Sequence, residues 1–253
     1  MAKRKKTEII DGQLSIFDFC IDKSNYVVQS NEVIQGKQSL SLNSAKLLRS
    51  AIMQIKPEDN ELKPYVVTIP DLAKLLGIPR QDVHRDIDAI TDEIIKNPLY
   101  IREEVKGRVK WVKCPWVSMC KYDSNDGVFI QLNEQMKPIL LNLQSNYTQY
   151  TLDSILTMKS VYAIRVFELL QSKIMEKVLP RNGVDVLLTV EEIRIACDCS
   201  EKMNNFSAFR EKVINRAINE INEKTTYLVS YADIRKGRSI TGFLFHVNMW
   251  YHK

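Results

Sequence analysis

Between residues 67 and 101 the apolar positions change period. Leu75 and Leu76 follow Leu72 by three and four residues, and then Val83, Ile87, Ile90 and Ile94 recur at steps of four, three and four. Each series places its apolar side chains on one face of a helix. Thr68 precedes the first series and Gly77-Ile78-Pro79 separates the two, so the pattern predicts two helices joined by a glycine turn. The residues from Leu99 to Val105 and from 109 to 112 are rich in β-branched side chains and flank a charged Lys106-Gly107-Arg108 run, which predicts a β-hairpin. Helix, turn, helix and hairpin make a winged helix.

The same order returns about 110 residues later: LLTVEEIRIACDCS as first helix, FSAFREKVINRAINEINEKT as second, and a hairpin over 227–247 around Lys236-Gly237-Arg238. A repeat of this length predicts tandem domains. Between the copies the pattern predicts a strand over 128–132, a short helix over 140–143, and a long helix over 158–175 that opens the second domain. Tyr162, Val166, Leu169 and Leu170 form the core stripe of that long helix. The expected class is α+β, with a basic arm and peptide segment over 1–34, a first winged-helix domain over 35–147 and a second over 148–253.

Rotation at about 100° per residue splits the second helix of the second copy into two faces. Phe206, Phe209, Val213, Ala217 and Ile221 point one way, and Ala208, Lys212, Asn215 and Asn219 the other. Lys donates to guanine and Asn bonds adenine bidentately, so the outer face suits a DNA major groove; a merely solvated face is the competing reading. Arg216 lies beside this face within reach of a phosphate, and Arg210 lies nearer the buried side, from where it is expected to snorkel to the backbone. In the first copy Asp82, Asp86, Asp88, Asp92 and Glu93 outnumber Arg80 and Arg85, and such a face repels phosphate. The second copy is therefore expected to read bases, while the first supplies limited phosphate contacts through Arg80 and Arg85, or a protein interface.

Charge supports a polyanionic partner without requiring one. Lys and Arg number 36 against 31 Asp and Glu, a net +5. From Ser200 to Lys253 nine basic residues face five acidic ones, and Lys3, Arg4, Lys5 and Lys6 form a basic arm. No apolar run is long enough to span a membrane and the opening lacks a signal-peptide stretch, so a soluble, cytoplasmic protein without membrane contact is expected. Five cysteines show no C-x-x-C pairing, which argues against a metal and for reduced thiols at Cys197 and Cys199. No phosphate-binding glycine loop, no H-x-H or H-E-x-x-H cluster and no G-x-S-x-G elbow occurs. The expectation is no catalytic residue, no cofactor and no enzyme.

The segments YVVTIPDLAKLLGIPRQDVHRDIDAITDEI, LQSNYTQYTLDSILTMKSVYAIRVFELL, FREKVINRAINEINEKT and KGRSITGFLFHV, in this order over 35–247, resemble the Rep_3 family of plasmid replication initiators. The resemblance implies two winged-helix domains related by a pseudo-twofold that bind directly repeated origin sequences, the iterons. It further implies help in opening the origin with a host initiator and helicase, a monomer that initiates, and a dimer, joined through the first domain, that represses. By motif position it brings Arg210, Lys212 and Arg238 to the DNA; Asn215 and Asn219 come from the rotation alone, and Lys236 from the basic hairpin turn. Glu211 stands where family members often carry arginine. A dimeric winged-helix repressor, or an adaptor that has lost DNA binding, are the alternative functions.

Upstream, Gln13-Leu14-Ser15-Ile16-Phe17 resembles the pentapeptide by which many proteins bind the bacterial sliding clamp, with Gln13, Leu14, Ile16 and Phe17 as contacts and a few anchors supplying the affinity. The apolar residues Leu14, Ile16, Phe17 and Phe19 equally suit a half-buried strand on the first domain.

Overall fold

The computed structural model describes residues 26–175 and 183–249. The first half comprises β1 (Tyr26–Ser30), α1 (Asn31–Gln35), α2 (Leu42–Ile52), β2 (Pro64–Thr68), α3 (Ile69–Leu76), α4 (Arg80–Lys96), β3 (Leu99–Val105), β4 (Arg108–Cys114), β5 (Val117–Asp123), β6 (Gly127–Leu132), α5 (Lys137–Leu140), β7 (Tyr147–Thr151) and α6 (Asp153–Leu156). The long helix α7 (Val161–Met175) leads to β8 (Val184–Thr189) and α8 (Val190–Ala196). Next, α9 (Phe206–Phe209) runs through a π-helical stretch, Arg210–Asn215, into α10 (Arg216–Lys224) as one continuous recognition helix, followed by β9 (Tyr227–Lys236) and β10 (Ser239–Met249).

Local chemistry accounts for the helices. Thr68 caps α3 by accepting from the Asp71 N–H at 3.4 Å, and Pro70 sits in the first turn, where a missing N–H costs nothing. Thr189 caps α8 in the same way at 3.1 Å, and the Glu192 carboxylate accepts in return from the Thr189 N–H at 2.7 Å. The predicted stripes are the buried ones: Leu72, Leu75 and Leu76 on α3, and Val83, Ile87, Ile90 and Ile94 on α4.

Sheet pairing corrects the phase of the internal repeat. In the second copy β8 pairs with β10 and β10 with β9; in the first, β2 pairs with β6 and β6 with β5. The wing of the first copy is therefore β5–β6. The predicted hairpin β3–β4 forms as a separate two-stranded ribbon inserted between the recognition helix and that wing. The two Lys-Gly-Arg runs are also out of register. Lys106 and Gly107 are the central turn residues of one hairpin, whereas Gly237 and Arg238 are those of the other.

One glycine marks the true correspondence. Gly127 lies opposite Thr68 and Gly242 opposite Thr189. A Cβ at Gly127 would stand 2.1 Å from the Val67 carbonyl oxygen, and one at Gly242 would stand 2.9 Å from that of Leu188. Both strands pass so close under the start of the capped helix that a side chain has no room.

Two other predicted spans shift. The helix expected over 140–143 is α5, displaced toward Pro138, which favours a helical first turn, and it ends where Leu141 turns extended, with Asn142 next in a left-handed conformation. α7 begins at Val161 because the Glu220 carboxylate accepts from the Lys159 and Ser160 N–H groups at 2.7 and 3.1 Å and fixes its start. Its middle is buried all round, wider than the predicted stripe, because β7 and α1 pack on it from one half and α10, α8 and β8 from the other.

Candidate nucleic-acid interface

The second recognition helix buries Phe209, Val213, Ile214, Ala217, Ile218 and Ile221. The π-helical stretch widens the helix so that two adjacent rows, through Val213 and through Ile214, both reach the core, a distortion common at functional sites. On the outer face Lys212 and Asn219 are exposed and have no side-chain partner among the described residues. Asn215 is half-buried and already engaged at both ends of its amide. It donates to Glu211 at 2.7 Å and accepts from the Tyr231 hydroxyl at 2.8 Å.

The two arginines of this helix are also occupied. Arg210 donates to Asp233 of β9 at 2.7 Å, and its guanidinium lies over the rings of Phe206 and Phe243 at 5.4 and 5.9 Å. It ties the recognition helix to its wing, although the sequence reading had it snorkel to the DNA backbone. The Arg210 hydrogen bond holds the Asp233 carboxyl below the usual carboxylate range. Arg216 donates to Glu220 at 3.1 Å and to the Lys159 carbonyl at 3.3 Å, tying α10 to the start of α7. At the wing tip Lys236 and Arg238 are exposed and unpaired among the described residues, and Arg235 beside them pairs with Asp233 at 3.1 Å.

The first copy presents the opposite surface. On α4, Arg85 pairs with Asp82 at 3.4 Å and Asp86 at 2.8 Å, while Arg80, at the start of the helix, is exposed and unpaired among the described residues. The β5–β6 turn carries Asp123 and Asp126. Basic charge sits instead on the inserted ribbon, where Lys106, Arg108, Lys110 and Lys113 are exposed. Trp111, 60% exposed, lies on the same face as Tyr100, and the Lys113 ammonium stands 5.6 and 5.7 Å from their rings. The sequence reading noted Lys106 and Arg108 as a charged turn but passed over Lys110 and Lys113, although RVKWVK displays them. Ser207, exposed in the first turn of the second recognition helix, escaped it too.

A family model for initiator replication proteins, covering their WH1 domain, matches residues 26–171, and one for their WH2 domain matches residues 189–247. The chain belongs to the Rep3 family of initiator replication proteins. Such initiators work by binding DNA and not by catalysis. An uncharacterized 27.6 kDa protein of Escherichia coli is 21% identical over 244 residues, which is 91% of this chain and 97% of that one. The crystal structure of Pi initiator protein in complex with iteron DNA is similar in fold, with a TM-score of 0.74 at 17% identity, over 90% of this chain and 99% of that one.

Among the described residues of this Rep3 chain no group of three or more His, Cys, Asp or Glu comes into metal-binding range. Cys197 and Cys199 lie free and buried after α8, and burial pushes the Cys199 thiol up to about 11. No helix among the described residues is long and apolar enough to cross a membrane. The clamp-type peptide, Gln13 to Phe17, lies outside the described residues.

Proposed function

We propose that this Rep3 initiator binds directly repeated origin DNA, with the second winged helix reading bases and the first adding phosphate contacts. One observation carries the reading: Lys212 and Asn219 stand exposed and uncommitted on a recognition helix flanked by the exposed Lys236 and Arg238. Lysine and asparagine donors suit base edges in a major groove, and wing cations suit phosphate. Asn215 joins them by exchanging Glu211 and Tyr231 for a base. Arg210 and Arg216 act indirectly, by holding the helix in place. On the first half, Arg80 and the cations of the β3–β4 ribbon meet phosphate more readily than Arg85, which two carboxylates already neutralise. The Pi structure holds iteron DNA, which supports a repeated site for this chain too.

The chain binds as a monomer to direct repeats, represses as a dimer joined through its first domain, and assists origin opening with a host initiator and helicase in the cytoplasm. Gln13, Leu14, Ile16 and Phe17 recruit the sliding clamp with modest, roughly micromolar affinity, because an extended peptide gives up ordering entropy on binding. The test is replication of an origin-less plasmid carrying the repeated DNA that flanks this gene. The plasmid should be maintained when the chain is supplied and lost with Lys212→Ala/Asn219→Ala. Maintenance by the double variant at wild-type copy number would overturn the reading.

A further inference from the structure

The junction between the halves holds a buried charge cluster that touches neither recognition helix face. Arg165 and Glu168, one turn apart on α7, are sealed from solvent, as is Arg49 of α2. Glu168 accepts from Nε and Nη2 of Arg49 at 3.0 Å each and from Gln29 of β1 at 3.1 Å. It also accepts from the Tyr150 hydroxyl and from Nη1 of Arg165. With its lone pairs engaged, the carboxylate fixes the plane of the Arg165 guanidinium.

The remaining donors of Arg165 reach main-chain carbonyls on both sides of the junction. Nη2 donates to Ile34 and, at 3.0 Å, to Gly36 of the first half; Nε donates at 3.1 Å to Ala196, the last residue of α8. A helix C-terminus leaves carbonyls without intrahelical partners, and a cation there is doubly favourable. Two residues on, Asp198 adopts a left-handed conformation (φ 49°) and turns its carboxylate back to the first half, 2.8 Å from Lys37, while Lys202 holds its other oxygen. Residues 34–37 are thus gripped by α7 and by the turn after α8. Lys37 in turn exchanges two backbone bonds with Tyr100 of β3, at 2.8 and 3.1 Å. A continuous set of bonds runs from the base of the inserted ribbon to the first helix of the second winged helix.

Apolar packing tolerates sliding, whereas a planar guanidinium shared among three carbonyls and a carboxylate accepts one arrangement. We propose that Arg165, oriented by Glu168, and Asp198 are positioning residues that fix the placement of one winged helix relative to the other, and thereby the half-site spacing the chain accepts on DNA. The proposal rests on the DNA-binding reading given above for its second part alone.

Two variants of the full chain test it. Arg165→Lys keeps the charge but loses the fork, and Asp198→Asn keeps a residue suited to the left-handed backbone but loses the charge. Lys37→Ala, at a half-buried residue whose side chain is 43% exposed, breaks the same ion pair from the other side without opening the core. Pulsed EPR between bio-orthogonal spin labels at the exposed Glu58 and Glu223 should give one narrow distance in the wild type and a broadened or displaced one in each variant, with circular dichroism unchanged. The DNA probe is the duplex that the wild type selects from a random pool, resynthesised with its two contact regions moved apart by one or two base pairs. The wild type should lose about tenfold in affinity when the spacing changes; the variants should lose about tenfold at the native spacing and discriminate little between spacings, because a loose junction lowers effective concentration. Unaltered distances and an unaltered spacing preference in folded Asp198→Asn and Lys37→Ala would overturn the proposal, whatever Arg165→Lys does. If the wild type selects no sequence, the DNA reading fails, and the distance measurement still decides whether these residues set the placement.

Discussion

In the first winged helix Thr68 caps α3 and Gly127 passes beneath it; in the second Thr189 caps α8 and Gly242 does the same. Outside that frame the copies diverge. The first recognition helix turns Asp82, Asp86, Asp88 and Asp92 outward with an acidic wing turn beside it, and an extra ribbon holds the cations. The second presents Lys212 and Asn219 beside a basic wing turn. The frame is held by steric limits that leave no choice at a glycine or a cap, whereas surface charge enters folding only weakly. One copy is therefore free to lose the chemistry of a major-groove reader while both keep the shape of one.

The comparison can be broken most severely at what joins the copies. Glu168→Gln leaves two buried arginines short of a counter-charge and should cost about 3 to 5 kcal/mol in chemical denaturation. Burial raises the Glu168 carboxyl, but Arg49 and Arg165, with hydrogen bonds from Arg49 and Tyr150, outweigh it and hold the group at about 2 against 4.5 unfolded. A depressed carboxyl stabilises fully above its unfolded value and ceases to as pH falls through the folded one. The wild type should therefore lose this contribution between about pH 4.5 and 2, and Glu168→Gln should show a shallower acid loss over that window.

The frame comes next. Gly127→Ala combines the closer approach with a positive φ of 134° and should cost about 3 kcal/mol, against about 1 to 2 for Gly242→Ala. Equal losses would mean that the closer approach and the positive φ at Gly127 add no strain beyond that at Gly242. Smaller again are the caps. Thr189→Ala should cost about 1 to 2 kcal/mol, and Thr68→Ala about 1 or less, because the Thr189 hydroxyl accepts its cap bond at 3.1 Å and the Thr68 hydroxyl only at 3.4 Å. Thermal melts of the pair measure the difference.

Helices and the tandem order were legible because hydrophobic periodicity is local. The wing of the first copy was not. Pairing of β2 with β6 joins residues some sixty positions apart, and the two Lys-Gly-Arg runs offered a false match that only strand pairing dispels. Lys212 and Asn219 came from helical rotation, Lys236 from the basic turn and Arg238 from the resemblance, and all four are exposed without a side-chain partner among the described residues. The occupation of Arg216 was readable from its i,i+4 partner Glu220, whereas that of Arg210 depends on Asp233 across a turn of chain. Arg165 and Glu168 stand inside the apolar first ten residues of α7, 161–170, a signal of a buried ion pair that hydrophobic patterning passes over.

The central claim is that sequence is read by the second winged helix and not by the first, and selection from a random duplex pool tests it directly. Lys212→Ala/Asn219→Ala should each contribute about 1 to 3 kcal/mol of lost specific affinity and relax the base preference at the positions they face. Arg80→Ala with Lys110→Ala should select the wild-type sequence, with weaker binding and a salt slope reduced by roughly one unit per lost phosphate contact. The account is contradicted if the first-half variant changes the selected bases while the second-half variant leaves them as they were.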